Sequence, residues 1–219
     1  MKLGIINSAF DQAGVDTTTG LKHISRIGFD TVDIFAEAMS ISQEEIDLIR
    51  NTCQTRNLPI TSTVVVSAGL IDFNQPVREF HLQRTKRFLD LAREFESQNL
   101  LLVIGEYIWQ REVIPPEQQW EWGVECVREL GQYAGERGLE IALELEPFRL
   151  SLLNSVPKWP GLSTIADCPT LKPTSISAIS SCQTCRRLIF KSCAVERPTR
   201  TLATVTARFM EISLQDAES

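Results

Sequence analysis

Gly138-Leu139-Glu140-Ile141-Ala142-Leu143-Glu144-Leu145-Glu146-Pro147 is the stretch on which the fold reading turns. Gly138 closes a long amphipathic segment, and Leu139 to Leu145 reads as a β-strand from its apolar run. Side chains alternate along a strand, so Glu144 and Glu146 share one face. Two carboxylates on one face of an apolar strand are costly unless they bind a cation, a base or a substrate. An oxygen-liganded divalent cation, or a carboxylate that moves a proton beside a carbonyl, uses such a pair. The spacing equally suits a solvated strand end whose glutamates face water or pair with arginines.

Working outward, the segments before this strand repeat one rhythm. Leu3 to Ile6 is a short apolar strand, and a polar loop runs on to Gly20. Leu21, Ile24 and Ile27 recur at helical spacing, with Gly28 as the stop. Thr31 to Phe35 is a second strand. Ser42 and Glu45 form a capping box for a helix that turns Ile46, Ile49 and Cys53 to one side. Pro59 to Ser67 is a β-branched third strand, and Phe80 to Phe95 is a helix with Phe88, Leu91, Ala92 and Phe95 inward. Leu100 to Ile104 is the fourth strand. Pro115 and Pro116 open a helix bearing Trp120, Val124, Val127, Leu130 and Ala134.

Five strands alternating with four helices, the strands almost continuously apolar, predict a parallel sheet buried on both faces. A (β/α)8 barrel and a doubly wound sheet both satisfy that pattern. No G-x-G-x-x-G follows the first strand, which disfavours the dinucleotide-binding sheet. In a barrel the active site sits at the C-terminal ends of the strands, and Glu144 and Glu146 lie at such an end.

Composition narrows the function classes. Lys and Arg total 22 against 28 Asp and Glu, a net charge of -6. That surplus of acid argues against a nucleic-acid partner, which is bound by neutralising phosphates. No run approaches the ~18 apolar residues of a membrane helix, and Met1-Lys2-Leu3-Gly4-Ile5-Ile6-Asn7 turns polar too soon for a signal peptide. A cytoplasmic protein without nucleic-acid or membrane partners is expected.

Residues 155–219 follow other rules. Seventeen of these 65 residues are Ser or Thr, and no Asp or Glu occurs between Asp167 and Glu196. Cys168, Cys182, Cys185 and Cys193 cluster here, but with one C-x2-C and outer spacings that match no familiar zinc pattern. Nothing indicates the export that a disulfide framework needs.

Gly138 to Glu144 resembles the fifth strand of the xylose-isomerase-like sugar isomerase/epimerase superfamily of metal-dependent (β/α)8 barrels. Ile27-Gly28-Phe29-Asp30-Thr31-Val32-Asp33 resembles the second strand of that family, and the Arg84 to Glu94 helix leads into Val103-Ile104-Gly105 as expected there. The likeness covers residues 1–154. It implies a TIM barrel truncated to about five β/α units with an irregular C-terminal tail. It also implies an open-chain sugar held by Mn2+ or Mg2+, with a carboxylate breaking the C–H bond beside the carbonyl. On that basis Glu144 is metal ligand and base, and Glu146 is a second catalytic carboxylate or substrate contact. Asn7, Glu106, Trp109 and Arg149 are substrate-binding candidates at or just past strand ends, where loop capping, rim packing or a surface ion pair would place them equally well. Isomerase or epimerase chemistry is expected, with an inosose-type dehydratase and a non-catalytic half-barrel binding module as alternatives. Self-association into a homo-oligomer is left open.

The resemblance also implies an Asp after the sixth strand, a His after the seventh and a Glu at the eighth, and none can be located. The only histidines are His23 and His81. A complete barrel needs about 250 residues, and residues 155–219 are too few for three more units. Pro173 to Ser180 can be encoded so that the next frame reads Asn-Ile-Asp-Ile-Ser-His-Leu, the sixth-strand motif of the family. Thr201 to Glu218, in that same frame, can yield a ligand His and an H-G-D-L-P-x-G-x-G loop. The expectation is therefore an out-of-frame tail from about residue 155, poor metal binding, negligible activity and an exposed edge at the fourth or fifth strand.

Overall fold

A computed structural model describes residues 2–105, 114–146, 151–154 and 169–173. Contacts divide the chain into residues 1–182 and 183–219, and every described residue belongs to the first unit. Within it the order is β1 (Gly4–Ile6), α1 (Ser8–Asp11), α2 (Thr17–Ile27), β2 (Thr31–Ile34), α3 (Gln43–Thr55), β3 (Ile60–Val66) and a 3-10 turn at Ala68–Ile71. There follow α4 (Gln75–Glu94), β4 (Asn99–Val103), α5 (Pro116–Gly135), β5 (Glu140–Leu143) and β6 (Leu171–Pro173). The strands form one sheet in the order β1-β2-β3-β4-β5-β6, and every neighbouring pair is parallel. A dinucleotide-type sheet reverses its strand order midway. This sheet never does, and it is the expected barrel wall.

Local signals act where the sequence puts them. Asp16 accepts a hydrogen bond from Thr19 N–H at 2.9 Å to open α2, and Gly28 closes it in the left-handed region at φ 96°. Ser42 Oγ takes Glu45 N–H at 3.2 Å to start α3. The inward residues foreseen for α4 are buried, with Phe88 and Ala92 at 0% exposure. α4 begins earlier than its apolar rhythm suggests, because Asn74 and Pro76 open a first turn that faces solvent and carries no periodic signal.

Burial also fixes which face of the sheet is which. Val32, Ile34, Val65, Leu100, Leu102, Ile141 and Leu143 lie beneath the helices at or near 0% exposure. Thr63 on that face shares a 2.9 Å hydrogen bond with Ser97, and Ser67 one of 2.7 Å with Thr85 of α4. The intervening residues Asp33, Ser62, Val64, Leu101, Ala142 and Glu144 therefore line the opposite, inner face.

One expectation is corrected. β6 pairs with β5 through Ile141↔Leu171, Ala142↔Lys172 and Leu143↔Pro173. The edges of β4 and β5 are thus both covered, and among the described residues the free edges belong to β1 and β6. Three residues, one of them Pro173, are too short and too poor in β-formers to announce a strand; the edge of β5 supplies what their sequence lacks. Phe88→Ala should cost about 3–5 kcal/mol by leaving a cavity between α4 and the sheet, read as a lowered urea midpoint.

Candidate active site

The C-terminal end of β5 is built by the segments around it. Glu144 N–H donates to Leu102 O at 3.0 Å, which prolongs the β4 pairing past the last strand residue. Residues 151–154 return over this end: Glu146 N–H donates to Leu153 O at 3.0 Å, and Leu152 N–H to Gly105 O at 3.1 Å. Gly105 holds φ 142°, and a Cβ there would stand 2.8 Å from Ala68 O. Only glycine lets the chain after β4 pass so close to the turn after β3. Leu152 meanwhile fills the space that a side chain at Gly123 of α5 would take.

On this frame Glu144 and Glu146 occupy successive inward positions, as the alternation predicts. Burial raises the Glu144 carboxyl above its ordinary range, and the neighbouring Glu146 charge adds to the rise. Ser151 Oγ–H donates to Glu146 Oε2 at 3.3 Å. The arrangement is a partly desolvated carboxyl beside a second one that is hydrogen-bonded, which suits a group that takes up and releases a proton.

Asn7 stands at the end of β1 and is 2% exposed. Its Oδ1 accepts Phe35 N–H at 2.7 Å, and its Nδ2 donates to Phe35 O and to Asp11 Oδ2, each at 3.2 Å. The side chain that the sequence offered as a substrate contact thus ties the ends of β1 and β2 together. Glu106, Trp109 and Arg149 lie outside the described residues. The tail cysteines lie outside them too, and of the tail expected to be out of frame only residues 169–173 are described.

Two features of the same rim had no motif to announce them. Arg84 of α4 donates from Nε to both oxygens of Glu37 at 3.1 Å and from Nη1 to Val66 O at 2.9 Å. It clamps the loop after β2 to the end of β3. Burial pushes the Glu37 carboxyl up, but the bonds from Arg84 and the Met39 N–H together with the Arg84 charge outweigh it and hold the group low. Asp33 faces inward from β2; the strict alternation Thr31-Val32-Asp33-Ile34 was the available signal, read at first only as a strand.

Whether these side chains could hold a divalent cation is a question of donor number. Ca2+, Mg2+ and Mn2+ need several oxygen donors converging on one point. Among the described residues no three His, Cys, Asp or Glu groups converge so. Glu144 and Glu146 are two carboxylates without a third such group beside them, so the described residues do not fit a resident metal.

Asn7→Ala should lower stability by about 1–3 kcal/mol, since it removes a buried side chain whose bonds tie Phe35 and Asp11 to β1; denaturant titration checks it. Glu144→Gln should do the reverse. The folded-state pKa of Glu144 lies above its unfolded value, so folding favours the protonated group, and that stability is lost as pH rises through the folded pKa. In chelator-treated protein the variant and the wild type should match at acid pH. The variant should become the more stable as pH rises, seen in urea midpoints across the range.

A family model described as xylose isomerase-like TIM barrel matches residues 21–165. No curated protein matches the sequence. Among solved structures, a D-psicose 3-epimerase with D-tagatose from Clostridium cellulolyticum is similar at 20% identity and TM-score 0.70, over 79% of this chain and 62% of that one. A xylose isomerase-like TIM barrel protein from Mycobacterium smegmatis in complex with magnesium is similar at 19% identity and TM-score 0.63, over 80% and 63%. A protein named AP endonuclease, family 2, from Brucella melitensis is similar at 14% identity and TM-score 0.67, over 89% and 76%. The chain spans about 62% of the length of the epimerase structure it resembles.

Proposed function

The chain belongs to the xylose isomerase-like TIM barrel family, and from that premise we propose that its parent activity is isomerisation or epimerisation of a sugar by proton transfer beside a carbonyl. The observation that carries this reading is the inward carboxyl pair just past β5. Glu144 is partly withdrawn from water, raised by burial and by Glu146, and held by a backbone hydrogen bond to Leu102, as Glu146 is to Leu153. A base in that condition takes a proton from carbon and returns it without being trapped as a solvated anion. Glu146, with one oxygen on Ser151, holds the position of a substrate hydroxyl contact. Glu106, Trp109 and Arg149 remain proposed contacts of the same pocket, and Asn7 is proposed to act there through the loops it holds. A cytoplasmic setting belongs to this same proposal.

Similar proteins include one in complex with magnesium, which supports a divalent ion, Mn2+ or Mg2+, in the parent enzyme with Glu144 as one ligand. The described residues of this chain do not complete such a site, so no step is routed through it here. The endonuclease-named neighbour shares the fold at 14% identity, and the surplus of 28 acidic over 22 basic residues disfavours a phosphate-rich substrate.

We infer further that the tail is out of frame, with the shift falling between about residue 155 and Pro173. Family likeness runs to residue 165, and β6 keeps parallel register to Pro173. Restoring one base ahead of codon 173 puts Asn, Ile and Asp at positions 174, 175 and 176. Sequencing the gene over codons 154–173 tests this; an intact native frame there overturns it.

As it stands, the 219-residue chain should turn over D-tagatose or D-fructose at a negligible rate with Mn2+ present and bind the ion weakly. Glu144→Gln should abolish what binding there is, measured by calorimetry. Substantial epimerase turnover would show that the tail supplies the missing donors.

A further inference from the structure

The glutamates of β5 are not the only carboxyl groups on the inner face. Val32 and Ile34 are buried at 0% exposure against the helices, so Asp33 between them points inward. Register sets Asp33 beside Ser62, and Ser62 beside Asn99. Ser62 offers its hydroxyl and backbone N–H to the Asp33 carboxylate, and both favour the ionised form against the burial that raises it. A carboxylate has about four acceptor sites, so Ser62 leaves room for further donors. Asn99 Oδ1 is buried and has no hydrogen-bond partner among the described residues. This part of the wall holds spare acceptors.

Its height in the barrel follows from the pairing. In an eight-stranded barrel of shear eight, a level line climbs one residue per strand. Asp33, Ser62, Asn99 and Glu140 are hydrogen-bond register partners. The level of Asp33 therefore meets β5 at Leu143, between the inward residues Ala142 and Glu144. Asp33 stands just beneath the carboxyl pair, three strands round the wall, and it is only partly buried.

We propose that Asp33 is a ligand-contacting residue, its carboxylate accepting hydrogen bonds from hydroxyl groups of a neutral polyhydroxylated ligand at the end remote from Glu144. This rests on the sugar reading above and adds to it the group that holds the far end of the molecule. A donor-rich ligand is the chemical complement of a wall with unused acceptors, and charge-assisted bonds to a carboxylate are the stronger kind. The groups facing Asp33 are Ile6 of β1 and Ser62 of β3, with Glu140 and Glu144 of β5 across the interior. Burial raises Asp33, and no neighbouring cation offsets it. Ligand hydroxyls favour the ionised form, so bound ligand lowers the Asp33 pKa, and affinity falls as pH drops through it.

The test uses the full chain with 13C-carboxyl-labelled aspartate and D-tagatose as the probe, followed by NMR. Tagatose should shift the Asp33 signal and lower its titration midpoint. Asp33→Ala should weaken tagatose binding about tenfold. Asp33→Asn, close in shape and unable to titrate, should bind more weakly than the wild type and show no loss of affinity on acidification. Saturable tagatose binding that leaves the Asp33 signal unmoved, or that Asp33→Asn preserves with its pH dependence intact, overturns the role of Asp33 and leaves the sugar reading standing. Failure of tagatose to shift any signal saturably overturns both.

Discussion

Like-charge repulsion inside a half-desolvated space is the constraint from which the rest of this structure takes its sense. Glu144 and Glu146 follow each other just past β5, and burial together with the Glu146 charge makes the Glu144 charge harder to hold. The geometry survives because the backbone at this point is over-determined. Leu102, Leu153 and Gly105 all bond across the end of β5, and the close pass at Gly105 fixes the neighbouring turn. An arrangement that costs stability and is nonetheless braced from several directions belongs to function more readily than to folding.

The rim around the pair is stiffened in the same way. Asn7 joins β1 to β2, and Arg84 joins the loop after β2 to the end of β3. Each spends a polar side chain on holding strand ends in place. A loop-built pocket can position small groups only if its walls do not drift, and these clamps give three neighbouring strand ends a common frame.

Much of this was legible because it is local. Gly28, the Ser42 cap and the inward residues of α4 follow from helix chemistry within a turn, and the alternation of Glu144 with Glu146 from strand geometry alone. What escaped the sequence depends on partners far along the chain. β6 forms because β5 offers an edge, and its own three residues say little. The tie between Asn7 and Phe35 spans 28 positions, and no spacing rule marks it. Asp33 was visible as a strand residue, yet its meaning came from Ser62 and Asn99, which only pairing brings beside it. The first turn of α4 was missed for a simpler reason: it faces water, so its residues carry no apolar period.

The sheet adds its strands in chain order, each new one lying against the last. Each new strand therefore pairs with one already synthesised, which keeps the strand pairings close in chain order. On a ribosome, where domains take shape from the N-terminus as the chain emerges, such a wall can be laid down course by course. The six strands among the described residues follow that order without a break, so each course can rest on the one before it.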